Sequence, residues 1–540
     1  MLVTVAISYY QTLDAYPSGG GSYVVASENL GKLPGLIAAS ALLIGYILTA
    51  AVSLTAGVAA IASAYPTLWP HRTHLALGLL IVITLINLRG SDETGNLMSI
   101  PVYLFLFTYL PMLAYGAIRL LIDGHTPLVA IAPPATEALT TLLILHTFSA
   151  GCTALTGIEA ISNGISLFKP PQTKNARQTL AVIALLMAVL FIGSIGLTQG
   201  LAVIATAQET ILSALARRLL GSGPLYLLVQ TSTMLILAVA ANTSFAGFPR
   251  LAAILAADGY LPRQLTNLGD RLVFSNGIVA LAAITGGLMI LFGGDSHALI
   301  PLFAVGVFLA FTLSQAGMVV HWWRKRGRNW PLKLFFNSLG ALTTASTVLI
   351  IGASKFFEGA WLTIFFIPAL VYMLLQIRLH YHQVASQLSL RGIAPAFRPF
   401  VNERAVIPVT GIHRGMIDAV NFAHVLFPQL TALHIELEPG SGEELKEKWN
   451  QWWPDVELVV VSSPYRSIVA PFLDFLDETD RRHADGQQAV VILPEIVPAK
   501  WWQNLLHNQT AWLIKSALLY RRRNQGFQRV IIDIPYHLER

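Results

Sequence analysis

Glu159 is the one acidic residue that falls well inside a long apolar run of this 540-residue sequence, and its surroundings carry most of the chemistry that residue types alone reveal. The run covers 138–167, and at its middle stand Ser149, Ala150, Gly151, Cys152 and Thr153. Small residues at that depth permit a helix to unwind, and Gly151 tolerates non-helical dihedrals. Discontinuous helices expose carbonyls and helix ends near a bilayer midplane, where solutes and coupling ions bind. Close helix packing through small residues is the competing explanation. A buried carboxylate is costly unless it functions or is paired, and no Lys or Arg lies at span depth elsewhere to pair with it. It is therefore expected either to take up and release protons or to stay protonated against a neighbouring helix.

A second constellation lies in the run 35–64, with Tyr46, Thr49, Ser53 and Thr55 among small residues. Thr49 and Ser53 are four apart and share one helix face. Such hydroxyls line a cation path or serve as interhelical hydrogen bonds. His146, in the same run as Glu159, reads as a packing residue. Nearer the C-terminus, Thr410-Gly411-Ile412-His413-Arg414 follows a strand and opens a helix. Backbone amides, the helix dipole and Arg414 suit a phosphate there, which makes Gly411, His413 and Arg414 candidate nucleotide-binding residues. A purely structural role for that domain is the alternative. No Walker loop or complete G-x-G-x-x-G occurs, so ATP hydrolysis is not supported. No nucleophile–base set or metal cluster stands out in this part, and enzymatic activity is the class least supported.

The elements that must position these residues follow from composition. The sequence is 54% hydrophobic and 12% charged, against about 45–50% and about 25% for soluble domains. The average conceals a division. About 8% of residues 1–390 are charged and about 22% of residues 391–540, so a membrane part precedes a soluble one. Runs long enough to cross a bilayer, which takes about 20 residues, lie near 35–64, 74–90, 97–122, 138–167, 178–204, 224–247, 275–293, 298–321, 334–353 and 359–379, ten in all. Residues 399–540 alternate strands (405–410, 431–437, 457–462, 489–494, 529–534) with helices (414–426, 442–452, 466–482, 500–523), the pattern of a parallel α/β sheet. The lone Cys152 forms no internal disulfide.

Placing the Gly-rich stretch 18–33 in the cytoplasm and alternating from there puts 14 basic residues, Arg250 among them, in cytoplasmic loops and 5 in outer loops. This is the inside-positive pattern, and it puts the C-terminal part in the cytoplasm. It also accounts for the basic net charge without a nucleic-acid partner. Met1–Ser8 is apolar but too short to span. It reads as the last turns of a membrane helix, with a short amphipathic helix on the membrane surface as the alternative.

Several stretches together resemble KimA-type potassium importers of the amino acid–polyamine–organocation superfamily. They are Ser8-Tyr9-Tyr10-Gln11-Thr12, Ala15 to Tyr23 with its Ser18-Gly19-Gly20-Gly21-Ser22, Asn87-Leu88-Arg89-Gly90, Ala154 to Ala160, Ala241-Asn242-Thr243-Ser244 with Phe248-Pro249-Arg250-Leu251, and Ala304 to Phe308. In the soluble part they are Ser463 to Ser467, Leu506 to Ala511 and Pro535 to Leu538. The resemblance covers essentially the whole sequence. It implies an α-helical polytopic membrane protein, a LeuT-like bundle of two inverted five-helix repeats plus two helices, followed by a cytoplasmic α/β domain like universal stress proteins. On that pattern the sequence starts inside the second helix, its ten spans are the third to twelfth, and the first is missing from it. The resemblance further implies a bacterial inner-membrane location, a homodimer formed through the cytoplasmic domain, and control by cyclic di-AMP. Potassium and protons are the implied transported ions, with no resident cofactor.

For the ion path the resemblance implies Thr49, Ser53, Thr156 and Glu159. Three positions depart from it. Gly45 stands where the importers have an acid, Ser149 where they have a glutamine, and Phe303 where they have a tyrosine. These departures keep a permease for amino acids or other small organic solutes open beside proton-coupled potassium import. A membrane sensor that transports nothing is the third expectation.

Overall fold

The computed structural model describes residues 1–17, 19, 21–90, 94–123, 140–153, 156–165, 168–206, 208–266, 274–387, 403–437, 440–463, 467–483, 487–497, 510–525 and 529–537. They form two compact units, Met1–Ser389 and Leu390–Arg540.

The first unit is helical: α1 Leu2–Ala15, α2 Ser22–Leu30, α3 Lys32–Ala64, α4 Arg72–Leu88, α5 Thr94–Asp123, α6 Thr141–Cys152, α7 Ile158–Asn163, α8 Gln172–Gly200, α9 Ile211–Leu220, α10 Pro224–Ala257, α11 Ser275–Leu291, α12 Ser296–Lys325, α13 Trp330–Ser354 and α14 Trp361–Gln387. Among the described residues, eight helices are long and apolar enough to cross a membrane. Two of the ten expected spans fall short for different reasons. The run 138–167 breaks into α6 and α7. Helix α11 has 17 residues, about 25 Å at 1.5 Å per residue against a hydrocarbon core of about 30 Å.

Helix α3 forms the centre. Its residues alternate between small and branched types, and α10 and α12 pack along it. A Cβ on Gly306 of α12 would stand 3.2 Å from the carbonyl oxygen of Ala41. Backbones come this close only through small residues, and such contact replaces the hydrophobic drive that lipid cannot provide between helices. The apolar side chains left outside lie on the surrounding helices. Leu121 on α5 is 85% exposed and Leu349 on α13 is 74% exposed, as faces turned to lipid require.

Helix α1 is a member of the bundle, not a helix on its surface. It buries Val5, Tyr9 and Leu13 and packs against α8, α12 and α13. Its polar residues are satisfied inside. Ser8 Oγ donates to Asn337 Oδ1 at 2.6 Å, and Asn337 Nδ2 donates to Gln11 Oε1 at 2.6 Å. Helix α10 runs ten residues past the expected 224–247 in spite of Pro249. The ring of Pro249 has a partner surface at Gly277 of α11, where a Cβ would come within 2.9 Å of it. Arg250 therefore belongs to a helix, not to the cytoplasmic loop in which the basic-residue pattern places it.

The second unit has five strands: β1 Arg404–Pro408, β2 Gln429–Glu436, β3 Glu457–Ser462, β4 Val490–Val497 and β5 Ile531–His537. All neighbours pair in parallel, in the order β3-β2-β1-β4-β5. Helices α15 Arg414–Leu426 and α16 Ser441–Trp452 cover one face, and α17 Val469–His483 and α18 Thr510–Gln525 the other. Alternation along β2 is the cause: Leu430 and Ala432 enter the first core, Leu433 and Ile435 the second. Strands buried on both faces read as continuous apolar runs, as these do.

Glu436, at the end of β2, holds the start of α16. Its Oε1 accepts the backbone N–H groups of Gly440 and Gly442 at 3.0 and 3.1 Å, and its Oε2 accepts the Ser462 hydroxyl at 3.1 Å. The Gly442 N–H leads in holding this carboxyl below its ordinary pKa, with Ser462, Gly440 and His434 adding to it. A depressed carboxylate pKa contributes stability that is complete above the unfolded-state value and is lost as pH falls through the folded one. Glu436→Gln should therefore speed hydrogen exchange at the start of α16 at neutral pH, and the difference from wild type should shrink below about pH 4. An exchange difference that stays constant between pH 7 and pH 3 would contradict this.

Candidate functional site

The break between α6 and α7 is built by three local devices. Helix α6 opens with Thr140, whose Oγ1 accepts the Leu143 N–H at 3.2 Å, and it ends at Cys152. The hydroxyls then turn inward on the chain. Thr153 Oγ1 donates to the carbonyl of Ala150 at 2.6 Å, and Thr156 Oγ1 donates to that of Thr153 at 3.1 Å. Gly157 follows at φ +102°, a conformation in which a side chain is strained. The chain re-enters a helix at Ile158, and Glu159 Oε2 accepts the Gly157 N–H at 2.9 Å.

The unwound stretch thus lies C-terminal to the expected one. Ala150, Gly151 and Cys152 are helical, and Thr153 begins the departure. Gly151 stays within the helix at ordinary dihedrals, where a Cβ would meet only Phe191 at 3.9 Å. The glycine at a positive φ is Gly157, four residues beyond Thr153. Residues 154 and 155 lie outside the described residues.

The hydroxyls expected beside Glu159 are distributed unevenly. Thr49, partly buried on α3, donates to the Gly45 carbonyl at 2.8 Å. Ser53 is buried on the same face, one turn on. Ser149 is fully buried but donates to the His146 carbonyl at 2.7 Å, inside α6. Phe303 is buried on α12, among core residues. A Cβ at Gly45 would meet Val307 of α12 at 3.6 Å, ordinary contact, so the position is closely faced but not blocked. Side chains that bond their own helix keep an oxygen lone pair available on the other side.

A cavity of about 670 Å³ opens next to this break. Tyr46 of α3, Ala160 and Asn163 of α7, and Asn242 and Arg250 of α10 line it. Three of these were not legible as a site in the sequence. Asn163 Nδ2 donates to the Tyr46 hydroxyl at 2.6 Å, tying α7 to α3. Asn242 Oδ1 accepts from Asn87 Nδ2 at 2.6 Å, tying α10 to α4. Arg250 completes the wall. Tyr46 is close enough to interact electrostatically with both Glu159 and Arg250, and Tyr9 of α1 with Glu159. The ring of Tyr46 is itself held by a bare backbone: a Cβ on Gly247 would stand 2.5 Å from it. The only sequence signal for these pairs was that Asn87, Asn242 and Arg250 recur in the motifs quoted above.

In the second unit, Gly411, His413 and Arg414 lie between β1 and α15. The strand order reverses between β1 and β4, so this connection borders the switch point, where such sheets bind ligands. His413 caps the helix, its Nδ1 accepting the Met416 N–H at 3.3 Å. Arg414 is exposed, and the Cβ of a residue at Gly411 would meet nothing within 4 Å. Tyr536 of β5 packs on Gly415, where a Cβ would come within 2.9 Å of it. This explains one motif of the soluble part. Leu506–Gln509 lie outside the described residues.

Residues 1–375 match the family described as amino acid permease. Residues 401–536 match the family described as the KimA potassium transporter C-terminal domain. Among curated proteins, the potassium transporter KimA of Bacillus subtilis (strain 168) is 38% identical over 544 residues, an alignment covering 100% of this chain and 88% of that protein.

Gly247→Ala tests the Tyr46 support. The added methyl must displace the ring from Asn163, and a misplacement of about 1 Å at a site can cost about 100-fold in rate. Transport through the cavity should fall at least about tenfold, with the amount of folded protein in the membrane unchanged. Wild-type transport in that variant would remove Tyr46 from the site.

Proposed function

Because the chain belongs to the amino acid permease family and, within it, to the KimA-type potassium transporters, we propose that it imports potassium together with protons across the bacterial cell membrane. The observation that carries this reading is the helix break that presents Glu159 beside a cavity. A carboxylate is both an oxygen ligand for a hard cation and a proton carrier. In this reading Glu159 exchanges the proton, and the oxygens of Thr49, Ser53 and Thr156 share the potassium ion. Tyr46 and Asn163 form the wall that must open. Ser149 and Phe303 complete the path: the Ser149 hydroxyl, like that of Thr49, bonds its own helix and keeps a lone pair, whereas Phe303 brings no oxygen.

The second unit then acts as the regulatory and dimerisation domain, on the cytoplasmic side that the basic residues favour. Its ligand in this reading is cyclic di-AMP, with the phosphates at the amides of Gly411 and His413 and the guanidinium of Arg414. The open space at Gly411 and the switch-point position support that assignment.

One observation favours a second reading, an organic-solute permease. Gly45 and Phe303 remove an acid and a hydroxyl from the path, leaving it less polar and less negative than a potassium site needs. Rescue of a potassium-uptake-deficient bacterium at low potassium separates the two. Growth supports import of potassium; failure, with uptake of a labelled amino acid, supports the permease. In the rescuing protein Glu159→Gln should abolish the dependence of uptake on the proton gradient, and normal proton-driven uptake in that variant would sink the role of Glu159. Arg414→Ala should weaken binding of cyclic di-AMP by at least about tenfold, as loss of a charged hydrogen bond of about 1.5–3 kcal/mol implies. Unchanged binding would move the nucleotide elsewhere.

A further inference from the structure

We propose that Arg250 is the fixed counter-charge of the cavity, setting how weakly the opened site holds potassium from that side. The inference rests on the reading of the protein as a potassium importer and adds a residue to it.

Arg250 is the one charged side chain among the described residues that line the cavity. It is partly buried, in the body of α10, and no ion pair or hydrogen bond of its guanidinium occurs among the described residues. The wall around it is mostly apolar: Leu42, Ala246, Leu251 and Ile254 contribute to it. An uncompensated cation in low-dielectric walls focuses its field into the space it faces. That field is positive, and it reaches Tyr46, which lines the same cavity and also interacts with Glu159.

One consequence follows for an importer. A potassium ion approaching from the cavity meets repulsion, so the cavity-open state binds it weakly and discharges it. A fixed charge cannot alter the equilibrium set by the coupled gradients. It alters the affinity of one state relative to the other. The cavity is bordered by Gly19 and Gly21 at one end and by Thr266 and Phe274 after α10. The distribution of basic residues assigns that side to the cytoplasm.

The test measures proton-driven rubidium uptake by the full chain in proteoliposomes, with increasing potassium on the cavity side. For wild type, inhibition should require high potassium. Arg250→Gln should be inhibited at about tenfold lower concentration. Arg250→Lys, and Arg250→Gln combined with Ala246→Lys one helical turn away, should return the inhibition to the wild-type range, because charge and not shape is responsible. Ala246→Glu alone should shift it in the same direction as Arg250→Gln, which keeps the inference testable if Arg250→Gln does not fold. Inhibition in Arg250→Gln or Ala246→Glu equal to wild type overturns the proposal, and so does a shift in Arg250→Lys as large as in Arg250→Gln. If wild type carries neither rubidium nor potassium, the reading of the function itself falls and this inference with it.

Discussion

A bilayer interior offers no water to a broken helix, so every N–H and C=O released between α6 and α7 must find a partner in the protein. The rest of the membrane unit can be understood from that constraint. The hydroxyls of Thr153 and Thr156 and the carboxylate of Glu159 take up groups that the helix releases. The segment after the break packs against α1, α8 and α10 and is tied to α3 by Asn163. Holding it there requires a scaffold with no slack, and α3 supplies it. Gly306 lets α12 approach the α3 backbone, and Gly247 lets α10 approach Tyr46. Polarity at the break and small residues on the neighbouring helices are thus two halves of one solution. Either alone would leave unsatisfied backbone or an unfilled gap.

The two units solve the problem of satisfied backbone in different ways. In the membrane unit a helix satisfies itself and a break must be paired locally. In the second unit each parallel strand depends on its neighbours, and side chains close the ends of the sheet. Glu436 spans the turn from β2 to α16, and His434 Nδ1 lies 2.8 Å from the Val409 carbonyl, where β1 stops. Ion pairs fasten the face opposite α15 and α16: Arg521 with Asp477 between α18 and α17, and Arg529 with Asp480. The connection after β1 is anchored at both ends, by His434 at the Val409 carbonyl and by His413 capping α15, and is open between them at Gly411.

Much of this was legible in residue order because the governing patterns are local. Apolar length predicts a span, and alternation of apolar runs with helical segments predicts the α/β unit. The sequence also marked the run around Glu159 as the place where a helix gives way. It placed the break at Ala150–Thr153 because small residues are its usual sign, whereas the structure breaks after Cys152 and turns at Gly157. Composition indicates where unwinding is permitted, and the packing of α7 against α1, α8 and α10 decides where it occurs. The pairs Tyr46–Asn163 and Asn87–Asn242 were beyond sequence reasoning for another reason. Their partners are 117 and 155 residues apart, and nothing periodic links them. Arg250 was read as a loop cation because the apolar run ends near 247, and Pro249 stands just beyond it. A proline ends a helix only when the freed carbonyl and the ring have nowhere to go, and here Gly277 makes room for the ring.

A lone carboxylate at the helix break bears on how such a site handles charge. Glu159 is the acidic residue at the break, and Gly45 of α3 brings no second one. One carboxylate cannot at the same moment hold a proton and offer full charge to a cation. The two ligands must then compete for it, or the cation must be held chiefly by neutral oxygens. In the proposed reading these neutral oxygens are Thr49, Ser53 and Thr156 from side chains, and the Gly45 and Thr153 carbonyls that already accept hydroxyls. Neutral ligands bind a monovalent ion more weakly than a carboxylate does, and more sensitively to nearby fixed charge. In a site with a single acid, a nearby base gains influence on how the ion is held. On the proposed reading, a single acid at the break and the guanidinium of Arg250 on α10 act in the same direction, toward a site that releases its ion easily.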